Sequence, residues 1–408
     1  MNQDKITTYT LPNGLRAVHV ASQSPVGWCG IVVDAGSRDD GDGRHGLAHF
    51  VEHTIFKGTT HRRAWHIINR MEAVGGELNA YTTKEDTTLY ATFPVEHFGR
   101  AMQLIADLVT CSVFPEQELE LERGVVLEEI DSYRDSPADA VYDDFEDMLF
   151  AGSTLGHNIL GDASQLEAIN SADCRDYLKR LYVPQNMVLF TMGNIAPAKV
   201  ERMAERYFTV LHHKLDRIPR QQPVDVLPER RKVHQGSHQS HTIVGARVPG
   251  MHDERRFALS LLNNVVGGPG MNSLLNVQLR ERRGYVYTVE SSLTAFTDCG
   301  LLEVYFGCDA SHTDKSLRLV LNTLDRLATT PLTERQLTAA KKQYCGQLLL
   351  ASDNAEANVI GAGKSLLYRG RVGTLEQSIE RIQSITPAQI MAAAALVVPD
   401  RCSVLTFD

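Results

Sequence analysis

The 408-residue chain has no apolar run long enough to cross a bilayer, which argues against a helical membrane span. It has too few cysteines, too scattered, for a disulfide framework. The seven are Cys29, Cys111, Cys174, Cys299, Cys308, Cys345 and Cys402, an odd number with no C-x-x-C pair. A stapled fold and a thiolate zinc site are both disfavoured, and a reducing, cytoplasmic setting is expected. There is no basic excess. The net charge of −9 argues against a nucleic-acid partner and leaves room for a basic one. The opening stretch, Met1 to Val18, lacks the basic and apolar regions of a secretory signal and the Arg-rich pattern of a transit peptide. It is expected to form a hairpin, Thr7–Leu11 and Leu15–Val20, turning at Pro12-Asn13-Gly14.

What is present is an ordinary globular composition, 43% hydrophobic and 22% charged, and one dense cluster of chemistry. His49-Phe50-Val51-Glu52-His53 places two imidazoles four residues apart with a carboxylate between them. Gly43 to Gly46 leads into an expected helix over 47–56, and Lys57-Gly58-Thr59 stops it. On such a helix His49, Glu52 and His53 share one face. Two neutral imidazoles there can hold zinc, and Glu52 can stand beside a metal-bound water. The order H-x-x-E-H inverts the commoner H-E-x-x-H. Alone, the pattern also fits two histidines that merely sit on a helix.

A catalytic zinc needs a third protein ligand and an open position. The helix expected from Pro115 to before Pro137 is rich in glutamate. Glu122 and Glu129 are seven apart and lie within about 20° of each other on the helix. Val125 and Val126 are expected to fill the same face between them. Carboxylates on such an apolar stripe need partners or a metal. Glu128 should project away into solvent, as should Glu116 and Glu120.

The chain reads as two similar halves. Thr87 and Gly300 head stretches that share one order: strand, amphipathic helix, Pro-containing loop, second helix. The fold class is therefore α+β, with two tandem units of about 200 residues. The expected boundaries are 1–211 and 232–408. The segment 212–231, with three prolines, many charges and few apolar residues, is the expected linker. Where the second half should repeat the motif helix it offers RRFALSLLNNVVGG, without H-x-x-E-H.

H-F-V-E-H, F-K-G-T, G-G-E-L-N-A-Y-T and E-R-G-V-V-L-E-E together resemble the pitrilysin-type zinc peptidases, the inverzincins that include insulin-degrading enzyme and mitochondrial processing peptidase. The resemblance covers essentially the whole chain and is closest to the half-length bacterial members. It implies mainly antiparallel sheets packed with helices. It implies Zn2+ on His49, His53 and Glu129, with Glu52 as general base and Glu122 in support. It also implies a glycine-rich loop at Gly267-Gly268 and an Arg/Tyr pair, Arg280 and Tyr287, that serves the substrate carbonyl. Leu78 to Thr83 fits the family's substrate-binding edge strand, with Asn79 and Ala80 as contacts. By themselves, that stretch could be an ordinary strand and the glycine loop an ordinary turn. The implied function is a zinc endopeptidase that cleaves short or unfolded peptides in a closing chamber, with a homodimer as the expected assembly. A non-catalytic scaffold, or one subunit of a heteromeric peptidase, is the alternative.

Overall fold

The structure, a computed structural model, describes residues 5–211, 213–224 and 226–408. Residues 1–4, His212 and Asp225 lie outside the described residues, the last two inside the expected linker. The opening hairpin forms as its turn chemistry dictates: β1 (Ile6–Thr10) and β2 (Arg16–Ala21) pair antiparallel. They join β3 (Val26–Val33), β4 (Glu77–Thr82), β5 (Thr87–Pro94) and β6 (Met187–Gly193) in a six-stranded sheet of order β1-β2-β6-β3-β5-β4. All pairs are antiparallel except β2 with β6. A second, five-stranded sheet has the order β7-β11-β8-β10-β9, from β7 (Arg230–Val233), β8 (Ser240–Val248), β9 (Val286–Ala295), β10 (Gly300–Cys308) and β11 (Ser403–Phe407). There only β7 and β11 run parallel.

The internal repeat is visible element by element. β5 begins at Thr87 and β10 at Gly300. Each is followed by a 3-10 turn, then helices Phe98–Cys111 and Glu116–Arg134 in the first case and Thr313–Thr329 and Glu334–Ala351 in the second.

The residues group into two compact units, but not by a cut at 212–231. The first unit comprises residues up to Ile130, Asn158–Arg220 and Ser352–Leu375. The second comprises Asp131–His157, Gln221–Ala351 and Glu376–Asp408. Each unit thus holds a segment from the other half of the chain. Successive strand residues point to opposite faces, and each central strand here is apolar on both. On one face of the first sheet Cys29, Ile31, Val33, Leu89 and Phe93 pack beneath the helix Phe98–Cys111 and its neighbours. On the other face Val18, Val32, Val188 and Phe190 meet Val359, Ile360, Ala362, Leu366 and Leu367 of the helix Ala355–Arg369. A Cβ on Gly363 would come within 2.9 Å of the Phe190 ring, so this glycine sets how closely the helix approaches. In the second unit the helix Pro137–Leu149 does the same service. Its Val141, Phe145, Met148 and Leu149 cover Ile243, Leu301, Tyr305, Leu405 and Phe407.

The expected linker is also partly fixed. Its Arg217 reaches Asp34 at 3.0 Å, and Arg220 pairs with Asp34 at 2.9 Å and Asp39 at 2.6 Å. Asp39 is almost fully buried, and a buried carboxylate requires such partners. Helical propensity and composition gave no sign of these long-range pairs.

Candidate zinc centre

The motif helix runs Leu47–Thr54 and tightens into a 3-10 turn, Ile55–Lys57. It starts where it does for two reasons. Gly46 takes a left-handed φ of 94°, and a Cβ there would sit 2.5 Å from the Leu160 carbonyl oxygen. The buried Asp40 carboxylate accepts from the Gly46 and Ala48 amides, both at 2.7 Å, and so caps the free N–H groups of the first turn. Leu47, Ala48, Phe50 and Val51 bury the apolar face. His49, Glu52 and His53 are left together on one side, against β4.

The helix Glu116–Arg134 brings the glutamates. Glu129 Oε2 lies 3.8 Å from His49 Nε2 and 3.5 Å from His53 Nε2. The donor atoms of these three residues all fall within 4.8 Å of one another. Ligands around a tetrahedral zinc at about 2.0–2.1 Å stand roughly 3.4 Å apart, so these separations suit one ion with little adjustment. The His49 and His53 rings meet edge to face, 4.5 Å between centroids. Burial, with His53 beside it, pushes His49 down to about 3, which keeps its imidazole neutral, the form that ligates.

Glu52 belongs to the same cluster. Burial raises its carboxyl above the ordinary range, while His53 and Thr82 pull the other way. Glu122 and Glu129 engage different atoms. Glu122 Oε1 accepts from His53 Nδ1 at 2.9 Å and its Oε2 from Lys57 Nζ at 2.5 Å. Burial alone would raise Glu122, but the bonds from Lys57 and His53 outweigh it and hold it below its usual range. A cleft of about 340 Å³ opens beside the cluster, lined by Glu52, His53, Phe56, Lys57, Ile68, Glu72, Leu78 and Glu122.

One sequence expectation is corrected on this helix. Val126 is buried between the glutamates, but Val125 is half exposed. At 100° per residue Val126 sits about 40° from Glu122 and Val125 about 60° to the other side, which takes it off a narrow buried stripe. Glu128, Glu116 and Glu120 are exposed as expected. Lys57 and Asp40 were not singled out by sequence reading. Lys57 had a signal, its place four residues after His53; Asp40 had none.

β4 is an edge strand of its sheet, with Asn79 exposed and Ala80 half buried. In the second unit, Gly267 and Gly268 end the helix Arg256–Gly267. A Cβ on Gly267 would lie 2.8 Å from the Ser291 nitrogen, and one on Gly268 would lie 2.6 Å from Asn264 Oδ1, so close packing demands both glycines. Arg280 sits on a π-helical turn, Asn276–Glu281, a form frequent at functional sites. With Gly267, Gly268 and Glu290 it lines a cleft of about 310 Å³. Tyr287 is 56% exposed near the start of the edge strand β9.

A second potential donor group, His61, Asp107 and Cys111, occurs in the first unit. Asp107 is already engaged by Thr59 at 2.8 Å, His61 at 2.6 Å and Arg62 at 2.5 Å, which explains it as a clamp on the 58–63 loop. All seven cysteines are free. Among the described residues no helix is long and apolar enough to cross a membrane.

Comparison with known proteins agrees with this architecture. A family model described as Insulinase (Peptidase family M16) matches residues 17–163, and one described as Peptidase M16 inactive domain matches 168–344. An uncharacterized zinc protease of Streptomyces coelicolor is 35% identical over 406 residues, 97% of this chain and 87% of the relative. One of Bacillus subtilis is 30% identical over 390 residues, 95% of each. In the fold alone, a crystal structure titled as a peptidase M16 inactive domain from Pseudomonas fluorescens superposes with a TM-score of 0.91 at 21% identity, covering 100% of this chain and 98% of the other. A protease from Helicobacter pylori gives 0.90 at 21% identity and 99% of both chains. The chain therefore belongs to the insulinase family of zinc peptidases, peptidase family M16, in its half-length bacterial form.

Proposed function

We propose that the protein is a zinc-dependent endopeptidase for short or unfolded peptides, with His49, His53 and Glu129 holding the metal. The observation that carries this reading is the convergence of two imidazoles and one carboxylate beside a second, buried carboxyl of raised pKa. When bound, zinc supplies Lewis acidity for the scissile carbonyl and lowers the pKa of a coordinated water. Glu52 takes the proton from the attacking water and passes it to the leaving amine, and its raised pKa brings it closer to the value such an exchange favours. Glu122 accepts from His53 Nδ1 and so leaves Nε2 free to ligate. The unpaired edge of β4 receives the substrate backbone at Asn79 and Ala80, which gives sequence-tolerant affinity.

In the same reading Arg280 and Tyr287 donate to the substrate carbonyl and to the developing oxyanion, and the Gly267-Gly268 loop touches the peptide. The chain pairs with a second copy to enclose its substrate and needs no other catalytic subunit. Cleavage of a quenched fluorescent peptide library by zinc-loaded protein, beside Glu52→Gln, tests the proposal. Turnover by the wild type and a loss of at least about 10²-fold in Glu52→Gln, with zinc content unchanged, is expected. An inactive wild type that retains zinc would overturn the self-sufficient peptidase. Light scattering should find the mass of two chains.

A further inference from the structure

Lys57 is the feature of this site that the proposed chemistry leaves unused. It closes the 3-10 turn after the motif helix, four residues beyond His53, and its side chain is one-quarter exposed. Its Nζ lies 2.5 Å from Glu122 Oε2, while Glu122 Oε1 takes the proton of His53 Nδ1 at 2.9 Å. The three side chains form one line, ammonium to carboxylate to imidazole, that ends at the nitrogen facing Glu129.

Two arguments give Lys57 work to do there. The first is charge. Glu52, Glu122 and Glu129 gather three carboxylates around a place for one dication, and Lys57 is the one Lys or Arg among the described residues lining the adjoining cleft, whose fourth carboxylate, Glu72, is exposed to solvent. One dication and one ammonium offset the three carboxylates nearest the metal position, which are only partly screened by solvent. The second is geometry. Glu122 has two oxygens and one is taken by His53. With the other unheld, the carboxylate can rotate off His53, since a single contact leaves its flexible side chain free to turn. A second donor fixes the rotamer, and with it the tautomer and ring plane of His53.

We infer that Lys57 is a positioning residue, which holds Glu122 on His53 and so sets the zinc affinity of the site without touching metal or substrate. This rests on the zinc reading above, but its test does not require peptidase activity. Zinc dissociation constants are measured by chelator competition on four full-length proteins: wild type, Lys57→Met, Glu122→Gln and the double variant, with Lys57→Arg as the conservative control. Melting of the metal-free proteins monitors folding. If Lys57→Met does not fold, Lys57→Gln takes its place in the same cycle.

The expected result is a loss of about tenfold in zinc affinity for Lys57→Met, within the range known for groups behind metal ligands. Lys57→Arg should stay within about threefold of wild type. In the Glu122→Gln background Lys57→Met should change affinity by less than about twofold, since its route to the metal is gone. A purely structural role would lower melting temperature and weaken zinc by the same factor in both backgrounds, and that outcome would sink the inference. So would wild-type affinity in Lys57→Met. A wild type that binds no zinc overturns the inference together with the functional reading, whereas tight zinc binding without any effect of Lys57 overturns the inference alone.

Discussion

At the scale of single residues, the site is made by groups whose ordinary ionisation has been altered by where they lie. His49 is held neutral by burial and Glu52 is raised by it, although they stand three residues apart on one helix. Glu129, one-third exposed, remains free to meet a metal. Glu129→Gln should keep the fold and lose at least about tenfold in zinc affinity, read by chelator competition, because an amide oxygen is a poorer ligand than a carboxylate. One buried carboxyl away from the zinc site is raised by its surroundings. Glu303, under the helix Pro137–Leu149, accepts from Ser292 at 2.8 Å, and its Oε2 has no partner. Burial, with Glu146 and Glu290 nearby, raises it to about 7. Between pH 4.5 and 7 the folded chain keeps a proton that the unfolded chain has released, so this group costs stability as pH rises through that window. Glu303→Gln should therefore raise Tm at pH 8, by an amount worth up to about 3 kcal/mol, and leave it nearly unchanged at pH 4.

At the scale of elements, the motif helix depends on its first turn. Asp40 satisfies two amides there, one turn before His49. Asp40→Ala should cost about 1–2 kcal/mol in thermal unfolding and weaken zinc binding in parallel, because fraying of that turn moves His49. Most elements were legible from pattern. The hairpin, the motif helix and the glutamate helix stand where turn residues, caps and period placed them. The misreading of Val125 shows the limit of that method: angular position tells which residues share a face but not how wide the buried stripe is. The helix Pro137–Leu149 starts at its proline because proline fits the first helical position.

At the scale of the whole molecule, the chain carries two repeats, yet its compact units exchange a helix. Helix Ala355–Arg369 buries five apolar side chains against the first sheet. At about 1.5–3 kcal/mol for each of the four large ones, that is on the order of 6–12 kcal/mol, comparable with the whole stability of a domain. A fragment 1–211, cut at the expected linker, should thus be insoluble or bind a hydrophobic dye strongly. Co-expression with 352–375 should reduce that dye binding. A soluble, cooperatively melting fragment 1–211 would contradict this account.

The sequence by itself determined the family and the α+β repeat, and the family resemblance named His49, His53 and Glu129 as candidate metal ligands. Two histidines one turn apart and two glutamates two turns apart are local facts. Only the tertiary structure decided which helix covers each sheet, that Arg217 and Arg220 pin the linker, and that Lys57 stands behind Glu122. These depend on contacts between residues distant in sequence, and a buried face or a buried charge specifies that it must be covered without specifying by what.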